Sequence, residues 1–112
     1  MGREPKQVPV LQGTLDLLIL RVLKNQPLHG WGIADRIQQH SGRALEIGEG
    51  SLYPALYRLE ARGWVTSEWG TSENNRRAKF YSLTATGRKQ LEVEQADWNR
   101  LTTAVAGVLR HA

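Results

Sequence analysis

Apolar residues follow helical spacing from early in the chain, and residues 14–24 are the first segment to show it. One face of this segment is apolar, at Leu15, Leu18, Ile19, Val22 and Leu23. Leu17 and Leu20 add apolar side chains on the other side, and Thr14 stands where an N-cap residue is expected. A helix that is apolar nearly all round needs cover on two sides. It therefore lies either between the core and a partner subunit or at the centre of the core.

Two further helices are predicted, and a glycine follows each. Residues 31–40 form the second helix, and Gly42 is well placed to cap its C-terminus. The third helix has the sequence EGSLYPALYRLEARG and ends at Gly63. Three of its leucines share one face and predict its buried side, namely Leu52, Leu56 and Leu59.

A hairpin and a long helix complete the pattern. Residues 64–70 and 77–83 have strand composition and flank a polar turn rich in asparagine. Thr84 is an N-cap candidate for a final helix over residues 85–110. Three helices followed by a two-stranded wing make a winged helix-turn-helix, so the predicted class is mostly α with a β-hairpin. The chain divides into an N-terminal arm (1–12), a winged-helix domain (13–83) and a C-terminal dimerisation helix (84–112).

Composition narrows the classes of function. The chain has 112 residues, enough for one domain, and no cysteine, which excludes disulfides and thiolate metal sites. A net charge of +4 is compatible with a nucleic-acid partner without establishing one. There is no bilayer-spanning run or signal sequence, so we expect a cytoplasmic protein without a membrane partner. The histidines lack metal-ligand spacing, and there is no phosphate-binding loop or nucleophile set, so we predict no metal, no cofactor and no enzymatic activity.

The exposed start of the third helix is a candidate DNA-reading surface. Pro54 has no N–H to donate and fits only in a first turn, so the helix is expected to begin near Gly50 or Ser51. Away from the leucines lie Ser51, Pro54 and Arg58, with Tyr53 and Tyr57 on a flank. Backbone N–H groups, a hydroxyl, two phenols and an arginine suit a helix end entering a major groove. The alternative is that the tyrosines are partly buried and the arginine is an ordinary surface charge.

The second hairpin strand begins with the densest basic cluster of the chain, Arg76, Arg77 and Lys79. Because alternate residues of a strand share a face, Arg77 and Lys79 point to one side together with Tyr81. A basic wing can lie along phosphates or enter a minor groove. The alternative is a charged edge strand that protects against aggregation. Asn74 and Asn75 at the tip favour the phosphate interpretation.

The final helix carries apolar residues at heptad spacing. Leu91, Trp98 and Val105 recur every seven residues, as do Leu101 and Val108. We assign these five residues to a homodimer interface, together with Leu17 and Leu20 of the first helix. The alternative is that the final helix folds back onto its own chain.

These segments resemble a known family, the PadR transcriptional regulators, in particular a short-tailed, acidobacterial-type subgroup. The resemblance rests on LQGTLDLLILRVL, PLHGWGIADRI, EGSLYPALYRLEARGWV, SENNRRAKFYSLTATG and the tail helix, and it covers roughly residues 10–110. It implies a homodimer with the third helix in the major groove and the wing on the flanking backbone. It implies recognition-helix roles for Ser51, Leu52, Tyr53, Pro54 and Tyr57, and wing contacts for Arg76, Arg77 and Lys79. Some relatives bind flat aromatic molecules at the dimer centre, which makes Trp98 a candidate for an effector pocket.

The predicted function is therefore sequence-specific binding of double-stranded operator DNA by a dimeric transcriptional regulator, acting as a repressor. One alternative is a protein-interaction adaptor that docks through the third helix, although such a face should expose more apolar residues. The other is a module that senses a small aromatic effector and whose DNA affinity is vestigial.

Overall fold

The computed structural model describes residues 8–9 and 12–112. Its helices are α1 (Gln12–Leu23), α2 (Gly30–His40), α3 (Glu49–Ala61) and α4 (Ala85–His111). Its strands are β1 (Val8–Pro9), β2 (Leu28–His29), β3 (Leu45–Glu46), β4 (Val65–Thr71) and β5 (Arg77–Leu83). The order of three helices, a hairpin and a long helix confirms the predicted winged-helix class.

Helix α1 lies at the centre of the core. It contributes four buried apolar side chains, Leu15, Ile19, Leu20 and Leu23. Helices α2, α3 and α4 all pack against it, and burial of one such side chain stabilises the fold by about 1.5–3 kcal/mol. Leu20 is 0% exposed within the single chain. The expectation that Leu20 supplies surface to a partner is therefore wrong, whereas Leu17 stays half-buried at the edge of the core.

Two glycines end helices as predicted. Gly42 has φ +62°, and its N–H donates to Gln39 O while that of Arg43 donates to Gln38 O at 2.8 Å. This pair of bonds is a Schellman cap, which requires a left-handed residue after the helix. The same pattern closes α3 at Gly63, where φ is +75°.

The helix starts differ from the predictions by one or two residues. Helix α1 begins at Gln12, so Thr14 lies inside it and is not its N-cap. Helix α3 begins at Glu49, which places Pro54 beyond the first turn. Proline is tolerated there because the carbonyl that loses its N–H partner belongs to Gly50, an exposed residue.

The wing contains one strand more than the sequence pattern indicated. Strands β4 and β5 pair antiparallel from Val65 opposite Leu83 to Thr71 opposite Arg77. Strand β2 adds to the other edge of β5 and joins the wing to the start of α2. Within the predicted arm, β1 pairs parallel with β3, and the rest of that arm up to residue 11 lies outside the described residues.

The root of α4 is fixed to the hairpin. The Thr84 hydroxyl accepts a hydrogen bond from the N–H of Gly87 at 3.0 Å, which confirms the predicted N-cap. A Cβ atom on Gly87 would lie 2.0 Å from the carbonyl oxygen of Trp64, so only glycine fits this approach. Leu91, one turn further, is 3% exposed. Because it is covered by its own chain, Leu91 has no surface left for the dimer interface to which the heptad pattern assigned it.

Candidate nucleic-acid interface

The outer face of α3 exposes most of the side chains predicted to read DNA. Ser51, Tyr53, Pro54 and Tyr57 are all exposed. Tyr57 is 77% exposed, so the alternative of a partly buried tyrosine does not hold for it, whereas Tyr53, 47% exposed, is partly buried. The Tyr53 ring lies close to Gly30, where an added Cβ would be 2.6 Å from the phenol oxygen. The start of α2 therefore fixes the position of Tyr53.

Arg58 is held by an ion pair instead of standing free on the solvent side. Its Nη2 donates to Oδ1 of Asp16 at 2.8 Å, which ties α3 to α1 across 42 residues of sequence. Asp16 is buried, and this burial raises the pKa of its carboxyl group although the nearby Arg58 charge acts to lower it. The guanidinium is thus partly engaged inside the protein, which leaves fewer donors for an outside partner.

The basic side chains of the wing differ in how freely their charge is presented. Arg76 and Arg77 are exposed, and the Arg77 guanidinium lies over the Trp69 ring, 4.5 Å from its centroid. Lys79 Nζ lies 3.9 Å from a carboxylate oxygen of Glu60. The wing therefore presents two arginines outward and one lysine whose charge is partly balanced within the chain.

His29 joins the wing turn to the start of α2. Its Nδ1 accepts a hydrogen bond from the N–H of Gly32 at 3.0 Å and so caps α2, while its Nε2 lies 3.4 Å from the Glu73 carboxylate. The pKa of the Glu73 carboxyl group is lowered, first by a hydrogen bond to its own backbone and then by His29. Phe80 packs edge-on against the imidazole with 5.3 Å between the ring centroids. The wing is thus positioned by side chains as well as by strand pairing.

A groove of about 780 Å³ opens between the wing, the start of α2 and α3. It brings together four of the predicted DNA contacts, Tyr53, Arg76, Arg77 and Lys79. Ser51, Pro54, Tyr57 and Arg58 do not line it. Two tryptophans do, and the sequence interpretation did not assign either of them to DNA. They are Trp31, 77% exposed, and Trp69, 59% exposed.

The hairpin register explains why the sequence pattern did not assign Trp69. Trp69 stands directly opposite Lys79 and therefore shares a face with Arg77 and Lys79. The strands predicted from the sequence, 64–70 and 77–83, would instead pair Trp69 with Ala78 and place it on the other face of the hairpin. Trp31 has helical spacing with Ala34 at the start of α2, and nothing in that pattern indicates that the tryptophan is exposed.

The distal part of α4 exposes an apolar face. Trp98 is 40% exposed, Leu101 55%, Val105 47% and Val108 63%. The alternative in which this helix folds back onto its own chain does not hold for these residues, because folding back would cover them. The face remains available for a second subunit.

Membrane-spanning helices and metal clusters are both absent from the part of the chain that the structure describes. No helix there is long and apolar enough to cross a membrane. No group of three or more His, Cys, Asp or Glu side chains in the same residues is arranged to hold a metal ion.

Known proteins are similar to this chain in sequence and in fold. Residues 19–93 match the transcriptional regulator PadR-like family. A transcriptional regulator of Mycobacterium tuberculosis is 30% identical over 95 residues, 85% of each chain. A solved structure from Streptococcus mutans UA159 is similar with a TM-score of 0.81 and 27% identity, over 93% of both chains. A PadR-like transcriptional regulator from Bacillus cereus gives a TM-score of 0.76 and 25% identity, over 91% of this chain and 97% of that one.

Proposed function

The chain belongs to the PadR-like family of transcriptional regulators, which are DNA-binding proteins and not enzymes, and we propose that it represses transcription by binding an operator as a homodimer. The observation that carries the proposal is the groove in which Tyr53 of α3 faces Arg76 and Arg77 of the wing. A helix end and a basic wing on one face suit a major groove and its flanking phosphates. By analogy with its bacterial relatives, whose operator DNA lies in the cytoplasm, we propose a cytoplasmic location.

The roles within this surface follow from exposure and charge. Ser51, Tyr53 and Tyr57 contact base edges or sugars from α3, with Pro54 at the exposed side of the same end. Arg76 and Arg77 contact phosphates, and their contacts set affinity more than sequence preference. Lys79 and Arg58 contribute less, because Glu60 and Asp16 already balance part of their charge.

Dimerisation through α4 is part of the proposal. The exposed face of Trp98, Leu101, Val105 and Val108 is covered by the same face of a second copy. Half-sites in the operator are then separated by about 34–36 Å or a multiple of it. Trp98 lies at this interface, and a flat aromatic effector bound beside it would act on the spacing of the two α3 helices.

The experiment is a salt-dependent anisotropy titration with the DNA upstream of the gene and with random DNA. We expect tighter binding to the upstream fragment. Arg77→Ala should weaken binding to both and reduce the slope of log K against log salt by about 0.9 for each phosphate that the variant no longer neutralises. Arg62→Ala is the matched control, because Arg62 also stacks on a tryptophan (Trp64, 5.1 Å) but does not line the groove. Unchanged affinity and salt slope in Arg77→Ala would show that the wing does not contact the DNA.

A second candidate function is the protein-interaction adaptor. The exposure of Trp31 and Trp69 in the groove beside Tyr53 gives this face more apolar surface than the sequence indicated, and exposed aromatics favour protein docking. The same titration separates the two functions. An adaptor would bind both DNAs equally, weakly and only at low salt, whereas a repressor prefers its operator.

A further inference from the structure

We propose that Trp69 is a positioning residue for DNA binding, which holds the Arg77 guanidinium over its ring so that the arginine is already oriented when a phosphate arrives. The inference rests on the proposed DNA-binding function and assigns a role to a side chain that the winged-helix core does not need.

The placement of Trp69 is hard to explain by core packing. The side chain is 59% exposed, while Val65 on the same strand is 2% exposed and belongs to the core. A large apolar side chain that stays mostly exposed gains only part of the stabilisation that full burial would give. Its contact with Arg77 is the interaction that the ring makes on the groove side.

Hairpin register explains how the two side chains meet. Trp69 is directly opposite Lys79, and Arg77 is two residues earlier on β5, so Arg77 is the diagonal neighbour on the same face. Diagonal neighbours are within reach when one is aromatic and the other is long. The observed 4.5 Å from Cζ to the ring centroid is inside the 6 Å range of a cation–π contact.

The contact with Trp69 leaves the hydrogen-bond donors of Arg77 available. Within the part of the chain that the structure describes, the Arg77 side chain donates no hydrogen bond to another protein group, so its five N–H donors are available for phosphate oxygens. Among the described residues no carboxylate lies within ion-pair distance of Arg77, so its charge is not balanced by a neighbour. An arginine that is already ordered loses less side-chain freedom on binding, which favours the complex.

Lys79 shows why the tryptophan serves Arg77 in particular. The lysine is directly opposite Trp69, yet its Nζ lies near Glu60 and 6.0 Å from the Tyr81 centroid, away from the tip. Arg77, which lies nearer the turn, is therefore the basic side chain that contacts the Trp69 ring.

The test is a double-mutant cycle on binding to a mixed-sequence duplex of about 30 base pairs, roughly three helical turns. Trp69→Leu keeps an apolar strand residue and removes the ring face. It should weaken binding roughly twofold to fivefold, because the energy of a surface cation–π contact corresponds to that change in Kd. The salt slope should stay as in the wild type, because no charge is removed. Trp69→Phe, which keeps a ring, should restore most of the affinity.

The cycle decides between positioning and direct contact. In an Arg77→Ala background, Trp69→Leu should cause no further loss, because the residue it positions is gone. An equal loss in both backgrounds overturns the proposal and makes Trp69 a direct contact or a support of the hairpin. If the wild-type protein does not bind the duplex, the proposed DNA-binding function is wrong. That result is distinct from an absence of coupling between Trp69 and Arg77, which overturns only the positioning role.

A measurement without DNA checks the same contact. The Arg77 δ-methylene protons should show an upfield ring-current shift in the NMR spectrum of the wild type and lose it in Trp69→Leu. Those of Arg62, over Trp64, should not change between the two proteins. Unshifted Arg77 protons in the wild type would overturn the proposal, and a melting curve for each variant shows that the hairpin is intact.

Discussion

Two glycine-to-alanine substitutions in α4 should have opposite effects on stability. Alanine is favoured over glycine inside a helix by about 0.8–1 kcal/mol. At Gly107 an added Cβ meets nothing within 4 Å, so this gain should be realised. At Gly87 the Cβ would lie 2.0 Å from the Trp64 carbonyl oxygen and 2.8 Å from the Leu83 Cδ1 atom. The carbonyl is backbone and accepts hydrogen bonds from Thr84, so it cannot turn away without loss.

The magnitudes follow from these contacts. Overpacking costs about 1–3 kcal/mol, and displacement of the helix start also weakens the cap from Thr84, which is worth about 1 kcal/mol. After the helix gain is subtracted, Gly87→Ala should lower the free energy of unfolding by about 1–3 kcal/mol. At about 4 °C per kcal/mol, its Tm should fall by about 4–12 °C, while Gly107→Ala should raise Tm slightly.

Urea and thermal denaturation followed by circular dichroism measure both variants, at two protein concentrations so that effects on association are separated. The reasoning is refuted if Gly87→Ala is as stable as the wild type, since the close approach of α4 to the hairpin would then be absent. A loss of stability in Gly107→Ala at the lower concentration would also contradict it.

Three further predictions concern the dimer, the reading helix and the buried ion pair. Leu101→Ser with Val108→Ser should shift sedimentation equilibrium toward monomer and lower operator affinity, whereas Arg110→Ser on the same helix should change neither. Gly30→Ala should displace the Tyr53 ring and weaken operator binding several-fold, with stability changed by less than about 3 kcal/mol, as read by anisotropy and melting. Because the pKa of Asp16 is raised in the folded protein, its carboxyl group binds more protons in the folded state than in the unfolded state at pH values from 3.8 up to the raised pKa. Its contribution to the free energy of unfolding therefore falls as the pH rises through that range. Asp16→Asn keeps an acceptor for the Arg58 guanidinium but does not titrate, so the unfolding free energy of the variant relative to the wild type should increase with pH. A difference that stays constant with pH in urea titrations would contradict this.

Local rules predicted much of the fold. Gly42 and Gly63 cap their helices because a left-handed residue after a helix is nearly obligatory for this type of ending, and glycine adopts it at no steric cost. The leucines at Leu52, Leu56 and Leu59 are buried because helical spacing fixes which side chains share a face. Such rules involve residues within a few positions of one another, which is why the sequence carries them directly.

Features that depend on distant residues were missed. The ion pair of Arg58 with Asp16 joins residues 42 positions apart, and no local pattern indicates it. Leu20 looked like outer surface because nothing in a helical wheel shows that three other helices surround α1. The two-residue strand β2 is too short to leave a pattern, and it brings His29 and Trp31 to the wing. The candidate site was therefore predicted as two separate basic and aromatic segments, without the tryptophans that line the groove between them.

The connections between elements decide how dimerisation bears on DNA binding. Asp16 ties α3 to α1, His29 ties the wing to α2, and Gly87 allows α4 to pack directly on the hairpin. The root of α4 is therefore joined to the reading surface by direct backbone and side-chain contacts and not by a flexible linker. If two copies meet through the distal face of α4, the separation of the two α3 helices is determined by how those faces pack. A one-turn half-site spacing of about 34–36 Å then depends on residues such as Leu101 and Val108, which are remote from the groove and carry no charge. Their substitution should consequently impair operator binding more than binding to random DNA, because only the operator requires both half-sites at once.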